Sequence, residues 1–317
     1  MPAYLTHYIF ADKNTQKDAE YRNIILLGSQ GSDPFFYYGY KIFGSRKLTN
    51  ENREFGTNIH HIDLTDFFEF MINRINKSNN EEKAVLKAYI TGFIMHYCVD
   101  RNCHPYVFYR SGFACNKDES KKYAYIHSLF ESRIDSLFMK KKGYRKIDPS
   151  LATKAKTKYL KIISLAYYDF AREIMKNPSV FPLSFVYAVK DMETANHLLH
   201  SKTGTKKKFF EKHFRYSLLN SMSTPKSVND DSEVDYLNLK HSKWIHPVTG
   251  EPSNKSFLDL IENAKYDFDE GIKLLDCKVP TVLRSKILAF VRQINHDGCL
   301  VNSRMSFSNC FYTGDFQ

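Results

Sequence analysis

Within GFIMHYCVDRNCHPYVF, residues 92–108, His96, Asp100 and His104 interrupt an otherwise apolar run at intervals of four. On a helix, that spacing stacks His96 and Asp100 on one face, about a turn apart. The arrangement recurs in YIHSLFESRID, residues 125–135, where His127 precedes Glu131 by the same interval. Imidazole nitrogen and carboxylate oxygen are the usual ligands of zinc besides thiolate. Two such pairs on neighbouring helices can converge on ions held between them, as His and carboxylate pairs do inside metal-binding helix bundles. His104, beside Pro105, adds a further imidazole.

Each piece alone has a simpler reading. A single His on an apolar face can be a core side chain bonded to its neighbour. A His–carboxylate pair at this spacing can be an intrahelical contact of about 0.2–0.5 kcal/mol. The combination changes the balance, because burying several imidazoles and acids without partners costs several kcal/mol, and shared cations offset that cost.

Helices must carry these groups. Apolar residues recur at helical spacing over 81–99, with Asn79 or Asn80 as N-cap and two Glu in the first turn. Pro105 biases the residue before it away from helical geometry, so this helix is expected to end near Asn102 or Cys103, with His104 just beyond. Further helices are expected at about 122–140, 153–176, 183–200, 206–221, 255–275 and 281–296. Residues 28–58, containing GSQGSDPFFYYGY, and residues 222–254 lack clear periodicity, and the second reads as a surface loop of the length usually kept for function. There is no internal repeat and no convincing alternation of β-branched residues. The fold class is therefore all-α. One multi-helix domain over 1–317 is expected, with a metal cluster between its helices. The ligand motifs fall in 1–140, a helical C-terminal half covers 150–297, and a short tail covers 298–317.

HYCVDRNCH followed by HSLFE resembles the zinc-dependent phospholipase C family, which is related to the fungal single-strand-specific nucleases. Upstream, His7 in MPAYLTHYIFADK, Asp33 in GSQGSDPFF and His60 in HHID resemble the same family's pattern, so the likeness runs over residues 1–140. LNLKHSKWIHPVTGEP, residues 237–252, is similar to cytoplasmic bacterial members of the group. The resemblance implies an all-helical protein holding up to three Zn2+ ions in a cleft. Carried over by motif, Asp33, His60, His96 and Asp100 would hold one ion. Asp100 would bridge to a second ion bound by His7, and His104, His127 and Glu131 would hold the third. His61 is out of register with the motif. Asp63 and Asp135 are candidates to orient imidazoles from behind. Two departures stand out. The gap from Asp100 to His104 is four where secreted members have six, so a shorter path must bring His104 to its metal. Secreted members also complete one site with an N-terminus freed by signal cleavage, and none is visible here. Pro2, after removal of Met1, would stand before His7 at the spacing seen in the fungal nucleases.

Composition suits this chemistry. Hydrophobic residues make up 43% and charged ones 26%, which predicts a folded protein rather than a disordered one. Lys and Arg exceed Asp and Glu by 11, a balance that suits an anionic partner. No signal peptide and no run of about 18 apolar residues is present, which predicts a cytoplasmic protein whose six cysteines are free thiols. The remaining histidines, His197, His200, His213, His241, His246 and His296, form no ligand-like group, although His241 and His246 flank the single Trp. The expected activity is phosphodiester hydrolysis of the phospholipase C kind, with Asp33 assisting as general base while touching metal. The substrate would be a phospholipid headgroup or a nucleotide. A transient membrane-surface contact would accompany lipid cleavage, and no stable nucleic-acid complex or protein partner is inferred. A nuclease or nucleotidase, and a non-catalytic metal-stabilised helical binding protein, are the alternatives.

Intact-mass measurement on the native protein tests the N-terminal expectation: loss of the Met1 mass supports Pro2 as a ligand, and retention of Met1 removes it.

Overall fold

The computed structural model describes residues 4–39, 46–115, 119–144, 147, 149–200, 205–214, 217, 221–222 and 234–311. Pro2 and the end of the tail lie outside them. The helices are α1 (Tyr4–Asn14), α2 (Arg22–Gly28), α3 (Arg46–His61), α4 (Thr65–Lys77), α5 (Asn80–Ser111), α6 (Ser120–Lys141), α7 (Thr157–Glu173), α8 (Ser184–Leu199), α9 (Thr205–His213), α10 (Phe257–Gly271) and α11 (Pro280–Val291). A two-stranded antiparallel hairpin pairs β1 (Trp244–Ile245) with β2 (Pro252–Ser253). The all-α expectation holds. No helix among the described residues is long and apolar enough to cross a membrane.

α5 is the axis of the fold. Asn79 caps it by accepting from the Glu82 amide at 3.1 Å, with Glu81 and Glu82 in the first turn. From Val85 to Val107 nearly every side chain is buried. A helix apolar on all sides must be enclosed by others, and α1, α2, α4, α6, α7 and α10 all pack against it. One apolar cluster extends from Leu5 to Val291.

Several expected boundaries are corrected. α5 does not stop near Asn102 but runs through Pro105 to Ser111. Proline removes the hydrogen bond to the Arg101 carbonyl, and enclosure of the helix on all sides offsets that single loss. A loop lies directly on the break: a β-carbon at Gly298 would meet the Arg101 carbonyl oxygen at 2.3 Å and Pro105 at 2.6 Å. Residues 28–58, read as aperiodic, contain a 3-10 turn (Asp33–Tyr37) and most of α3. α11 ends at Val291, earlier than expected, because Arg292 and Gln293 both adopt left-handed backbone conformations at φ of 53° and 57°. His296 consequently sits on a loop. α9 and residues 221–222 occupy part of the expected 206–221 helix, and the rest lies outside the described residues.

Trp244 is a core anchor. Its indole N–H donates to the Lys255 carbonyl at 3.0 Å and its ring packs on Tyr106. His246 Nε2 donates to the Gly298 carbonyl at 3.2 Å, so the hairpin braces the same loop.

α2 crosses α5 where two glycines meet. A β-carbon on Gly92 would lie 2.1 Å from the Ile25 carbonyl oxygen, and one on Gly28 would lie 2.1 Å from that of Tyr89. Neither backbone can yield without separating the helices. Gly92→Ala is expected to cost about 1–3 kcal/mol, read as a lowered melting temperature of the metal-free protein.

Candidate metal centre

Six segments deliver the titratable side chains to one place. α5 contributes His96, Asp100 and His104. Because the helix continues past residue 103, the gap of four that distinguishes this chain keeps all three on one face, and no shortened loop is needed. α1 supplies His7, the C-terminal end of α3 supplies His60, and α6 supplies His127 and Glu131. The 3-10 turn supplies Asp33, and the loop after α11 adds His296 and Asp297.

The inner part of the cluster is dense. Asp100 Oδ1 lies 3.0 Å from His7 Nε2, and Asp100 Oδ2 lies 3.1 Å from His96 Nε2. Asp33 Oδ1 lies 2.9 Å from His60 Nε2 and 3.8 Å from His96 Nε2. One donor atom each from His60, His96, Asp100 and His296 fit within 4.8 Å of one another. The outer part comprises His104, His127 and Glu131, whose donors meet the same limit. Glu131 Oε1 is 3.1 Å from His127 Nε2 and 3.4 Å from His104 Nε2. Asp100 Oδ1, 3.7 Å from His104 Nε2, joins the two parts.

Backbone carbonyls set three of the imidazoles. Nδ1–H donates to the Gly56 carbonyl in His60 (2.8 Å), to the Ser29 carbonyl in His96 (3.2 Å) and to the His296 carbonyl in His104 (2.8 Å). A carbonyl only accepts, so Nδ1 carries the proton and Nε2 is left to face inward, the orientation typical of metal-ligating histidines. Asp63 and Asp135, expected behind imidazoles, bind backbone amides instead. Asp63 accepts from the Thr65 amide at the start of α4. Asp135 accepts from the amides of Leu5 (2.9 Å) and Thr6 (2.8 Å) and from the Thr6 hydroxyl (2.8 Å), fixing α1 next to His7.

The electrostatics are those of mutually dependent buried charges. Burial opposes charge on His7, but Asp100 and then Asp33 outweigh it, and the pKa is raised. For His60 the same contest is won by Asp33, and for His104 by Asp100 and Glu131, which raise it to about 10. His96 and His296 are pushed well below the usual range by burial and by the surrounding imidazoles, so both rings are neutral, the form a metal requires. Burial raises Asp33, with Asp100 adding to it against the pull of His60. Burial works against charge on Glu131, yet His127 and the hydrogen bond from His104 hold it below the carboxylate range.

A cation fits this arrangement. Among the described residues, His7 Nδ1, His96 Nε2, Asp100 Oδ2 and both ring nitrogens of His296 are buried without a hydrogen bond. The 3.1 Å approach of His96 to Asp100 lacks hydrogen-bond alignment. Nitrogen and oxygen donors around buried, unsatisfied atoms suit zinc. The neighbouring thiols stay out of the set. All six cysteines are free, and burial pushes the Cys98 and Cys103 thiols far above their ordinary range, keeping them protonated.

A cleft of about 400 Å³ opens over the outer part. His60, His104 and His127 lie at its floor, and Phe36, Phe108, Phe113 and Tyr123 wall it. Asp33 is 2% exposed and does not line the cleft. The neighbouring aromatics Phe35, Tyr37, Tyr38 and Tyr106 are core residues. His61, out of register as a ligand, reaches outward to Asp297 at 3.1 Å.

All eight residues named from the sequence therefore gather in one cluster. His296 and Asp297 were missed. Their only local signal is a His-Asp-Gly triplet after a helix, too common to single out.

A sequence model of the family described as zinc-dependent phospholipase C matches residues 2–178, which contain His7 through Glu131. No curated protein and no solved structure matches the chain.

Asp135→Ala would leave the Leu5 and Thr6 amides without their acceptor, at about 1–3 kcal/mol for each buried group. We expect a lower melting temperature and weaker zinc retention, measured by thermal denaturation and by zinc content per chain.

Proposed function

The chain belongs to the zinc-dependent phospholipase C family, and we propose that it hydrolyses a phospholipid at the phosphodiester bond to glycerol, releasing diacylglycerol and a phosphorylated headgroup. The observation that carries this reading is the placement of two imidazole–carboxylate groups under a cleft walled by aromatic rings. No Lys or Arg among the described residues lines that cleft. A single-strand nuclease tracks its polyanion with a cationic groove, so this lining favours lipid over nucleic acid. A transient contact with a membrane surface follows from such a substrate.

We assign up to three zinc ions to the cluster. Asp33, His60, His96 and Asp100 would hold one, Asp100 and His7 a second, and His104, His127 and Glu131 a third. Zinc, when bound, supplies Lewis acidity that makes water nucleophilic near neutral pH and offsets the charge that builds on phosphate oxygens. The side chains supply the rest. The carbonyls of Gly56, Ser29 and His296 hold three imidazoles in place before substrate arrives. Asp33, whose proton affinity is raised by burial, serves as general base. It takes the proton from water as the water oxygen bonds to phosphorus. That proton then passes to the glycerol oxygen as the ester bond breaks. The aromatic walls exclude bulk water and receive the apolar part of the lipid.

A parallel assay on phosphatidylcholine vesicles and single-stranded DNA tests the reading. Phosphocholine release that stops on chelation and returns with zinc is expected. Nucleotide release without phosphocholine would replace lipid by nucleic acid as the substrate. Asp33→Asn is expected to lower the rate by about 10²–10⁴-fold.

A further inference from the structure

Beyond residues 2–178, the loop after α11 reaches the metal cluster. At its centre His296 is fully buried, with 0% exposure. Its ring packs between those of His60 (4.6 Å between centroids), His96 (5.3 Å) and Tyr97 (5.3 Å). Among the described residues neither ring nitrogen has a hydrogen bond. A buried polar group without a partner is destabilising, and this ring has two. An ordinary core histidine, bonded through one nitrogen and packed through the rest, does not look like this.

The loop is held so that the ring cannot turn away. The His296 amide donates to the His60 carbonyl at 3.2 Å, and its own carbonyl accepts from His104 Nδ1 at 2.8 Å. On either side, Tyr97 donates its hydroxyl to the Ile294 carbonyl at 2.6 Å, and Asp297 pairs with His61. Gly298 is seated on the Pro105 break in α5. With the backbone fixed on both flanks, one donor atom of the ring stands within 4.8 Å of those of His60, His96 and Asp100.

We propose that His296 is a zinc ligand, donating a ring nitrogen to the same ion as His60, His96 and Asp100, and that the metal centre is thus completed by the C-terminal part of the chain. This rests on the zinc reading above. It adds to the donor set implied by the family likeness a side chain that lies outside the matched segment. The same residue serves both parts of the cluster, because its carbonyl orients His104 while its ring faces the inner ion.

The test uses the full chain, as wild type and as His296→Gln, His296→Phe and His296→Asp, each zinc-loaded and metal-free. Zinc per chain and the rate of zinc loss to a chelator are measured, together with melting temperature in both forms. His296→Gln and His296→Phe are expected to lose zinc roughly tenfold faster or more, the scale on which even indirect support of a ligand acts, or to lack one equivalent. His296→Asp, which keeps an oxygen donor, should recover part of the difference. The rise in melting temperature on zinc loading should shrink in His296→Phe. Its metal-free form should melt no lower than wild type, because an unsatisfied buried imidazole has been removed. Wild-type zinc content and release in the variants would overturn the assignment of His296 and leave the zinc reading standing. A wild-type chain that binds no zinc would overturn both.

Discussion

Asp100 lies 2% exposed among three imidazoles, with His7 and His96 within 3.1 Å and His104 at 3.7 Å. A carboxylate removed from water is stable only when positive charge or donors replace its hydration. Burial opposes charge on all three rings; Asp100 and its neighbouring acids raise His7 and His104, whereas His96 stays neutral. The cluster is therefore stable as a set. Removing one member strands the others, and supplying divalent cations satisfies all of them together. The surrounding architecture follows from that requirement: α5 must present three residues on one face, and α1, α3, α6 and the loop after α11 must close around it.

Rigidity at this level of charge comes from the main chain. Three imidazoles are set by backbone carbonyls, and α1 is fixed by an acid that binds its amides. Backbone groups held in helices and pinned turns have little freedom to relax. They hold the inward nitrogens in place before any ion arrives, which is what a site needs when its donors come from distant segments. A small residue is required where the packing is tightest. Gly31, at φ 55°, faces the His96 ring so closely that a β-carbon there would lie 2.2 Å from it.

Much of the site was legible because periodicity and chemistry coincide in it. His96 with Asp100 and His127 with Glu131 are readable from spacing alone, since helical geometry converts an interval of four into a shared face. His7, Asp33 and His60 carry no such signal and came only from likeness to known motifs. The helix end at Asn102 was misplaced because the proline rule is local, whereas enclosure of α5 by its neighbours is a property of the whole fold. α3 was hidden in a polar stretch whose amphipathic pattern begins after a Gly- and aromatic-rich turn. His296 was illegible for a different reason. Its place depends on two left-handed residues ending α11 and on a loop settling against α5, and neither leaves a periodic trace.

The carbonyl that fixes His104 belongs to a residue 192 positions later in the chain. During synthesis the N-terminal end of a chain emerges and begins to fold first. Here α5 and α6 can form early, but the ring of His104 lacks its brace until residue 296 has left the ribosome. A prematurely terminated product would thus carry most of the conspicuous motif and still leave its centre unfinished.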